Sequence, residues 1–481
     1  MYSTRENSYW HNYTDNQTNK PYLTDLFKKV FCKACVHAAE IINNKDFSPD
    51  IDPSSENANP FISVTGIDDV LVDDVHVQKY SSAPPSQGKI EMFKSIFRDN
   101  YALIKKMDVR SSITENISRM LDCGDPSKGG TMYACPGCEQ HVRFSPFHCG
   151  SRFCPSCGNK YNIMRASAMQ CKLINAPHRH VTFTIPEELR SFFRAFRESL
   201  DDLYAAVSDT LTYIAHKRSS SEEFDPGFIC VLHTFGRDLK WNPHIHVLLC
   251  CKIYGTSKEG KNFYLDYRLL RKSFQKTLLD RMKQRFGRVF SKLSSLIYKA
   301  HPNGFYIHAP KDNVNTVSVI KYIGRYLGRP PIASSRIDSY DEKNVTFHYT
   351  RHEDNKTVSE TIPALDFIKR LIVHIPNKHF KMVRYYGFYS SEGAIKRKKK
   401  KSPLEPQISA IEKQRIRNSH KWRPLLIHTF GIDPLKCPSC GATMVPVYFT
   451  GPTGTFFYHN FSRDTATRIN YNFIIHNYNS A

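Results

Sequence analysis

Two histidines alternate with apolar residues in PHIHVLLCC, residues 243–251, a segment whose composition predicts a β-strand. Because the side chains of a strand alternate between its two faces, His244 and His246 lie side by side on one face. Two neutral imidazoles held together on a rigid strand can bind one cation at little ordering cost. An isolated pair of this kind is more often structural, but this pair follows an Asn-Pro step at a strand start, which favours an open site. His233, on the preceding predicted strand, is either a third ligand or a structural residue.

Two tyrosines fall one helical turn apart in NVNTVSVIKYIGRYLGRPP, residues 313–331. Apolar residues recur there at helical spacing, which predicts a helix at about 314–328. Tyr322 and Tyr326, at positions i and i+4, therefore share one side of it. Basic residues run beside them at four-residue steps, namely Lys321, Arg325 and Arg329. Taken alone, this helix favours tyrosine rings that belong to an apolar core. Beside a histidine pair and these cations, a phenol is a candidate nucleophile toward a phosphodiester.

A phenol needs assistance at neutral pH, because its pKa is about 10. A divalent cation on His244 and His246 would polarise a scissile phosphate and stabilise charge on the leaving 3′ oxygen. Attack by Tyr322 or Tyr326 would then link one DNA end to the phenol and leave a hydroxyl on the other. Such a link conserves the free energy of the phosphodiester, so the predicted chemistry is reversible strand cleavage and joining.

Cysteines are concentrated between residues 123 and 157. Two Cys-x-x-Cys pairs, Cys135/Cys138 and Cys154/Cys157, have a spacing typical of two tight turns that present four thiolates to one Zn²⁺. Proline and glycine in ACPGC and FCPSCG suit such turns. Other donors in the stretch either complete a second zinc site or stabilise the first, and these are Cys123, Cys149, His141 and His148. The sequence leaves open the number of zinc ions, and whether the module binds DNA or is purely structural.

The elements around these motifs predict an α+β domain with a mainly antiparallel sheet. Strands are expected at 178–186, 228–235, 243–251 and 304–311, and long helices at 186–218 and about 266–290. The two middle strands are joined by GRDLKWN, a loop short enough for an antiparallel hairpin. This order places the histidine pair on a sheet and the tyrosines on the helix that follows its last strand.

Composition points to a polyanionic partner. The 481 residues carry a net charge of +23 with a pI near 9.4, and residues 91–481 hold 60 basic and 33 acidic side chains against 8 and 12 in residues 1–90. Nucleic acid is therefore the first partner to consider. No run approaches about 18 apolar residues and no basic start precedes an apolar core, which disfavours a membrane span and a secretory signal. Paired cysteines suit metal binding in a reducing compartment, so a cytoplasmic location is expected.

Several segments together resemble, in order, the two-tyrosine rolling-circle transposases of bacterial insertion sequences, members of the HUH (histidine, hydrophobic, histidine) endonuclease superfamily. These segments are the Cys-rich module, LHTFGRDLKWNPHIHVLL, VIKYIGRYLGRPPIASSRI, VTFHYTRHEDNKT, FIKRLIVHIPNKHFKMVRYYGF and FGIDPLKCPSCGATM. The resemblance covers roughly residues 110–450. Its most specific parts are the His-x-His strand and the Tyr-x-x-x-Tyr helix.

The resemblance implies an HUH-like antiparallel sheet flanked by helices, with His244 and His246 as the catalytic metal pair and Tyr322 and Tyr326 as nucleophiles. It implies an N-terminal zinc-binding domain that uses six cysteines, namely Cys123, Cys135, Cys138, Cys149, Cys154 and Cys157. The implied substrate is single-stranded DNA at the transposon ends and target, the product a 5′-phosphotyrosine, and the cation Mg²⁺ or Mn²⁺; histidine donors make Mn²⁺ plausible. Asn242 stands where relatives tend to have a further histidine.

Four regions are predicted: a partly flexible N-terminal segment of unknown role at 1–90, a zinc-binding domain with helical flanks at 91–175, an HUH-like catalytic domain at 176–392, and a basic linker with a C-terminal region at 393–481. Two further Cys-x-x-Cys pairs, Cys32/Cys35 and Cys437/Cys440, show no partners and receive no role. Because no phosphate-cradling Gly-rich loop with lysine is present, a host helicase or replication factor is an expected partner. The oligomeric state stays open, and the alternative function is a noncatalytic zinc-containing DNA-binding protein.

Overall fold

The structure is a computed structural model of the chain. It describes residues 87–138, 141–219, 224–253, 261, 265–309, 331–351, 354–393, 405–430, 433–451 and 454–457. These ranges form three antiparallel sheets with flanking helices, which confirms the predicted α+β class. No helix within the described ranges is long and apolar enough to cross a bilayer.

The His-x-His strand is the central strand of a five-stranded antiparallel sheet. In spatial order the strands are β10 (Val383–Tyr386), β4 (Phe228–Phe235), β5 (Trp241–Cys250), β3 (His178–Thr184) and β6 (Ile307–His308). The β4–β5 hairpin and β3 confirm three of the predicted strands. The strand expected at 304–311 is found at 307–308, and residues 310–330 lie outside the described part.

Helices cover the face of this sheet to which Ile245, Val247 and Leu249 contribute. They are α5 (Glu187–Ala195), α6 (Ser199–Ser219), α7 (Tyr267–Phe286) and α8 (Arg288–Ala300). Helix α6 starts with acidic residues in its first turn and ends with basic ones in its last, as the helix dipole favours. The result is a rigid apolar support behind the histidine-bearing face.

Both long helices predicted as single elements are interrupted. The helix expected at 186–218 leaves helical geometry at Phe196 (φ −106°, ψ 80°), whose ring packs 4.8 Å from Phe192 and 5.0 Å from Phe286 between centroids. No proline or glycine marks that break, so tertiary packing decides it. The helix expected at 266–290 ends at Gly287, where φ is +64°, a conformation that glycine adopts without a steric penalty.

A second, three-stranded sheet joins the Cys-rich segment to residues 332–375. Its strands are β7 (Ile337–Tyr340), β8 (Asn344–Thr350) and β9 (Thr357–Pro363), and it is followed by α9 (Ala364–Ile372). Phe347 and Phe367 share one apolar cluster with Phe93 and Phe153. The helices packed there from the other side are α1 (Gln87–Asp99) and α3 (Ser111–Leu121), with the short α2 (Tyr101–Lys106) between them.

The third sheet joins segments about three hundred residues apart in the chain. Its order is β12 (Gly454–Phe457), β11 (Val445–Gly451), β1 (Gly130–Ala134) and β2 (Val142–Pro146). Gly130 pairs with Thr450 and Ala134 with Val445. Further α-helices are α4 (Pro155–Gln170), α10 (Ala410–Ser419) and α11 (Trp422–Phe430). Nothing in the sequence predicted that the C-terminal region would extend a sheet of the Cys-rich segment.

Candidate functional site

Three histidines come together on the face of the central sheet opposite the helices. His233 in β4 is the register partner of His244 in β5, and His246 lies two residues further along β5. The His233 ring centroid is 4.2 Å from that of His246 and 5.5 Å from that of His244. One donor nitrogen from each ring lies within 4.8 Å of the others. The structure therefore brings His233, the candidate third ligand, to the predicted pair.

Hydrogen bonds orient two of these rings. The Nδ1–H of His244 donates to the backbone carbonyl of Asn242 at 2.7 Å, which leaves Nε2 as the nitrogen with the lone pair. Nδ1 of His246 lies 3.1 Å from the Thr182 hydroxyl and 2.8 Å from Nε2 of His180. Such outer contacts fix the ring orientation of metal-binding histidines.

Thr182 and His180 were not predicted as site residues. Both lie on β3, where Thr182 is the register partner of His246 on one side and of His308 on the other. Period-two alternation in HRHVTFTIP places His180 and Thr182 on one face of the predicted strand, which was the available signal. Their contact with His246 depends on the pairing of β3 with β5, which strand prediction alone does not give.

Burial keeps these imidazoles neutral. It lowers the pKa of His244, and together with the neighbouring rings His233 and His244 it holds the pKa of His246 well below its usual range. Burial also lowers the pKa of His180 to about 4. Neutral imidazole is the form that binds a metal, so His244 and His246 are in a binding-competent state at neutral pH.

The donor set fits a divalent cation. Besides the three ring nitrogens, the side-chain oxygen Oδ1 of Asn242 is buried and has no hydrogen-bond partner among the described residues. Asn242 lies two residues before His244 on the same strand, so it faces the same side. Imidazole nitrogens with an amide oxygen suit Mn²⁺ and similar ions better than Mg²⁺, which prefers oxygen ligands.

The predicted nucleophiles and their basic neighbours lie outside the described residues. These are Tyr322, Tyr326, Lys321, Arg325 and Arg329. The described residues on either side of their segment lie beside the central sheet. Ala309 follows His308 in the strand next to Thr182, and Pro331 lines a cavity of about 260 Å³ together with Thr234 and Phe235, the residues after His233.

The same cavity carries several cationic groups. It lies where α3 and the start of α4 meet the edge of the central sheet, and its basic lining residues are Arg119, Arg152, Lys378 and His379. Glu115 is the acidic residue that lines it. This balance favours an anionic occupant.

Eight of the twelve cysteines among the described residues form two groups of four, and the predicted pairing is wrong. Cys154 and Cys157, at the start of α4, meet cysteines that precede and follow the β1–β2 hairpin. The four members of this first group are Cys123, Cys149, Cys154 and Cys157. Their sulfurs are 3.6 Å apart for Cys123 and Cys157, and 3.8 Å apart for Cys149 and Cys157. The β1–β2 hairpin carries Cys135 and Cys138 away from this group, so the two pairs do not share one ion.

The second group combines Cys135 and Cys138 with Cys437 and Cys440. Sulfur–sulfur distances are 3.4 Å between Cys135 and Cys440 and 3.7 Å between Cys138 and Cys437. Backbone N–H groups of the turn lower the pKa of Cys437 to about 6, which favours the thiolate. The two histidines of the Cys-rich segment lie beside these groups. Nδ1 of His141 is 3.6 Å from the sulfur of Cys138, and Nδ1 of His148 is 3.7 Å from the sulfur of Cys123.

Two family models match the chain. The model described as "Transposase zinc-binding domain" matches residues 96–185, and the model described as "Putative transposase" matches residues 227–399. The first range holds the whole first cysteine group with Cys135 and Cys138, and the second holds the three histidines and both predicted tyrosines. The zinc-binding match and the cysteine groups together support structural Zn²⁺.

The chain aligns with most of the length of two curated relatives. The chain is 29% identical over 377 residues to "Transposase for insertion sequence element IS801" of Pseudomonas savastanoi pv. phaseolicola, covering 73% of this chain and 88% of the relative. It is 26% identical over 360 residues to "Putative transposase y4qJ" of Sinorhizobium fredii, covering 69% of this chain and 88% of that relative. No solved structure matches the chain significantly.

Proposed function

We propose that this chain, which belongs to the IS801/IS91 family of insertion-sequence transposases with an N-terminal zinc-binding domain, nicks and transfers single-stranded DNA through a 5′-phosphotyrosine intermediate. The DNA would be the ends of the insertion sequence and its target. Transposition of this rolling-circle type would use a host helicase or replication factors, because the sequence has no phosphate-cradling Gly-rich loop with lysine.

The observation that carries the proposal is the three-histidine group on β4 and β5. Its donor atoms lie within 4.8 Å of one another, and rings His244 and His246 are oriented by hydrogen bonds before any ligand arrives. Pre-oriented neutral donors suit a metal site better than they suit a packed core. Mn²⁺ or Mg²⁺ bound there would polarise the scissile phosphate and stabilise negative charge on the leaving oxygen.

The nucleophile in this proposal is the phenol of Tyr322 or Tyr326. The described residues that flank their segment are Ala309, next to the β6 residue His308 that pairs with Thr182, and Pro331, which lines a cavity together with Thr234 and Phe235. Tyr322 and Tyr326 are within about thirteen residues of Ala309 or Pro331 in the sequence, and a chain of that length can span up to about 40 Å, at about 3.3 Å per residue.

The proposed step is an in-line displacement at phosphorus. The tyrosine oxygen loses its proton to solvent or a nearby base and forms the O–P bond, while the bond from phosphorus to the 3′ oxygen breaks. The departing 3′ oxygen gains a proton and becomes a free hydroxyl. Because one phosphoester replaces another, the reverse attack by a 3′ hydroxyl restores the strand.

Cationic side chains would hold the DNA backbone during this exchange. We assign that role to Lys321, Arg325 and Arg329, which flank the tyrosines in the sequence. The cavity next to Pro331 adds Arg119 and Arg152 close to the same segment. Binding through such phosphate contacts falls steeply as salt rises.

A covalent adduct assay tests the proposal. Single-stranded DNA that carries candidate element ends is labelled at its 3′ end, because a 5′-phosphotyrosine keeps that portion on the protein. After incubation with Mn²⁺, a denaturing gel should show labelled protein. The label should be lost in His244→Ala/His246→Ala and in Tyr322→Phe/Tyr326→Phe.

Matched variants make the result specific. His348→Ala removes a half-buried histidine that pairs with Asp338 away from the site, and Tyr213→Phe removes an exposed phenol of α6. Both should retain the adduct. An adduct that persists in the double tyrosine variant would reassign the nucleophile. Binding of the DNA without cleavage under any divalent cation would favour the noncatalytic DNA-binding function.

A further inference from the structure

The Cys437-Pro-Ser-Cys440 turn lies beyond both segments that the family models match. In the structure it faces the Cys135-Pro-Gly-Cys138 turn, whose first cysteine directly follows β1. Both turns therefore contribute two sulfurs each to one compact group, although 299 residues separate Cys138 from Cys437.

The spacing of the four sulfurs matches a tetrahedral thiolate site. A Zn–S bond of about 2.3 Å implies sulfur–sulfur edges of about 3.8 Å in a regular tetrahedron. Two of the four edges between the turns measure 3.4 Å and 3.7 Å. In the first group, where the zinc-binding family model covers all four cysteines, the corresponding values of 3.6 Å and 3.8 Å are nearly the same. The two groups thus have a common geometry.

The backbones of the two turns also follow one pattern. The N–H of Cys135 donates to the carbonyl of His141, and the N–H of Cys437 donates to the carbonyl of Ala442, so each loop closes just beyond its second cysteine. Close approach of the turns requires a small residue at Gly137. A Cβ there would be 3.0 Å from the Cβ of Ala442 and 3.4 Å from the sulfur of Cys440.

The apolar support around this group is small. One cluster contains Met132, Ala134 and Val447, and a second contains Met444 with two of the cysteines. Each is far smaller than the core behind the central sheet. A small β structure with so little apolar burial usually depends on metal ligation for part of its folding free energy.

From these observations we infer that Cys135, Cys138, Cys437 and Cys440 bind a second zinc ion, which closes a zinc module split between the two sides of the catalytic segment. One half is the β1–β2 hairpin, and the other runs from residue 433 through β12. The inference does not depend on the DNA chemistry proposed above, so either can fail without the other.

Contacts outside the cysteines support the same junction. Arg143 of β2 donates to the backbone carbonyls of Asp433 and Pro434, and Arg423 of α11 makes two hydrogen bonds to the Asp433 carboxylate. Strand β11 pairs along all of β1. The ion would therefore lie at the end of a strand pair that is already in register. Its binding free energy would offset the entropy cost of closing a loop of about three hundred residues.

Zinc content per chain tests the shared ion. Intact mass measured under native, reducing conditions should show one ion fewer in Cys437→Ser/Cys440→Ser than in the unmodified protein. Cys135→Ser/Cys138→Ser should lose one ion as well. The variant that combines both pairs should again lose one ion rather than two, because the pairs share it. The variant that combines Cys154→Ser/Cys157→Ser with Cys437→Ser/Cys440→Ser should lose two ions, because these pairs belong to different groups.

Controls separate metal loss from unfolding. Cys171→Ser changes a half-buried cysteine outside both groups and should keep the full zinc content. The charge-state distribution in the same spectra reports whether each variant remains compact. An unchanged zinc content in compact Cys437→Ser/Cys440→Ser protein would overturn the inference, as would a loss of two ions when the two pairs are combined. A disulfide among these cysteines in the unmodified protein under reducing conditions would also overturn it.

Discussion

The histidine group and the second cysteine group are assembled over very different lengths of chain. His233 and His246 lie on the two strands of one hairpin, whose register alone brings their rings to 4.2 Å. The sulfurs of Cys138 and Cys437 lie 3.7 Å apart across 299 residues. The first site is a product of local pairing, whereas the second depends on the closure of a sheet between distant segments.

This difference predicts different responses to damage. The histidines stand on a sheet whose far side is packed by four helices, so they should be replaceable without unfolding. The cysteines belong to the buried clusters in which distant segments of the chain pack against one another. Changes at the histidines should therefore remove chemistry, and changes at the cysteines should remove structure.

The largest effect is expected from His244→Ala/His246→Ala. Loss of two of three pre-oriented donors should lower DNA cleavage by on the order of 10³-fold or more, because charge on the leaving oxygen is no longer stabilised. Titration with Mn²⁺ by calorimetry should show no binding at the site, while the melting temperature of the metal-free protein stays close to that of the unmodified chain. A collapse in melting temperature would show that the rings are structural instead.

The next largest effect is the loss of stability expected when either cysteine group is changed. Cys154→Ser/Cys157→Ser should destabilise the protein by several kcal/mol, since the binding of structural zinc contributes about 10–16 kcal/mol in small zinc-finger peptides. Its group belongs to the large cluster with Phe93 and Phe153. Cys437→Ser/Cys440→Ser, in a small satellite cluster, should cost less. Thermal unfolding followed by circular dichroism gives the order, and the reverse order would contradict the described packing.

The contrast also explains what could be predicted from the sequence. Alternation in residues 243–251 predicted the shared face of His244 and His246, and the short loop predicted the hairpin that brings His233 to them. Cysteine spacing gave the zinc-binding residue types but paired Cys135 with the wrong partners. Spacing along the chain carries no information on a sheet between β1 and β11, which is formed by residues far apart.

Packing likewise overrode local signals elsewhere. Gly287 could have marked the end of the helix that was predicted to run to about residue 290, but the break at Phe196 has no sequence mark and follows from its ring filling the core beside Phe286. Thr182 and His180 were missed because the register of β3 with β5 is set by the core on the opposite face.

A smaller effect is expected from Thr182→Val. Removing the hydroxyl that contacts Nδ1 of His246 at 3.1 Å should weaken Mn²⁺ binding by about 10-fold to 100-fold, the usual cost of losing an outer contact of a metal ligand. Thr182→Ser keeps the hydroxyl and should retain most of the affinity. Equal affinities of the valine and serine variants would show that the hydroxyl does not orient the ring.

The smallest effect is on the pH dependence of the free energy of unfolding. Burial lowers the pKa of His374 to about 3, whereas in the unfolded chain it is about 6.5. Between these values the unfolded state binds the extra proton, so stability is lost as pH falls below 6.5, by about 2 kcal/mol at pH 5. His374→Gln should flatten this dependence in urea unfolding measured from pH 7.5 to pH 5. An unchanged slope would mean that His374 is already protonated in the folded protein.

The most direct measurement is the position of the covalent link on the chain. The denatured protein–DNA adduct is treated with nuclease and trypsin and analysed by mass spectrometry; Lys321 precedes Tyr322, and Arg325 separates it from Tyr326, so the two phenols fall on different peptides. We expect a nucleotide remnant on Tyr322 or Tyr326, formed only with a divalent cation and intact His244 and His246. A remnant on any other residue, or an adduct of equal yield in the histidine variant, would contradict metal-assisted attack by these tyrosines.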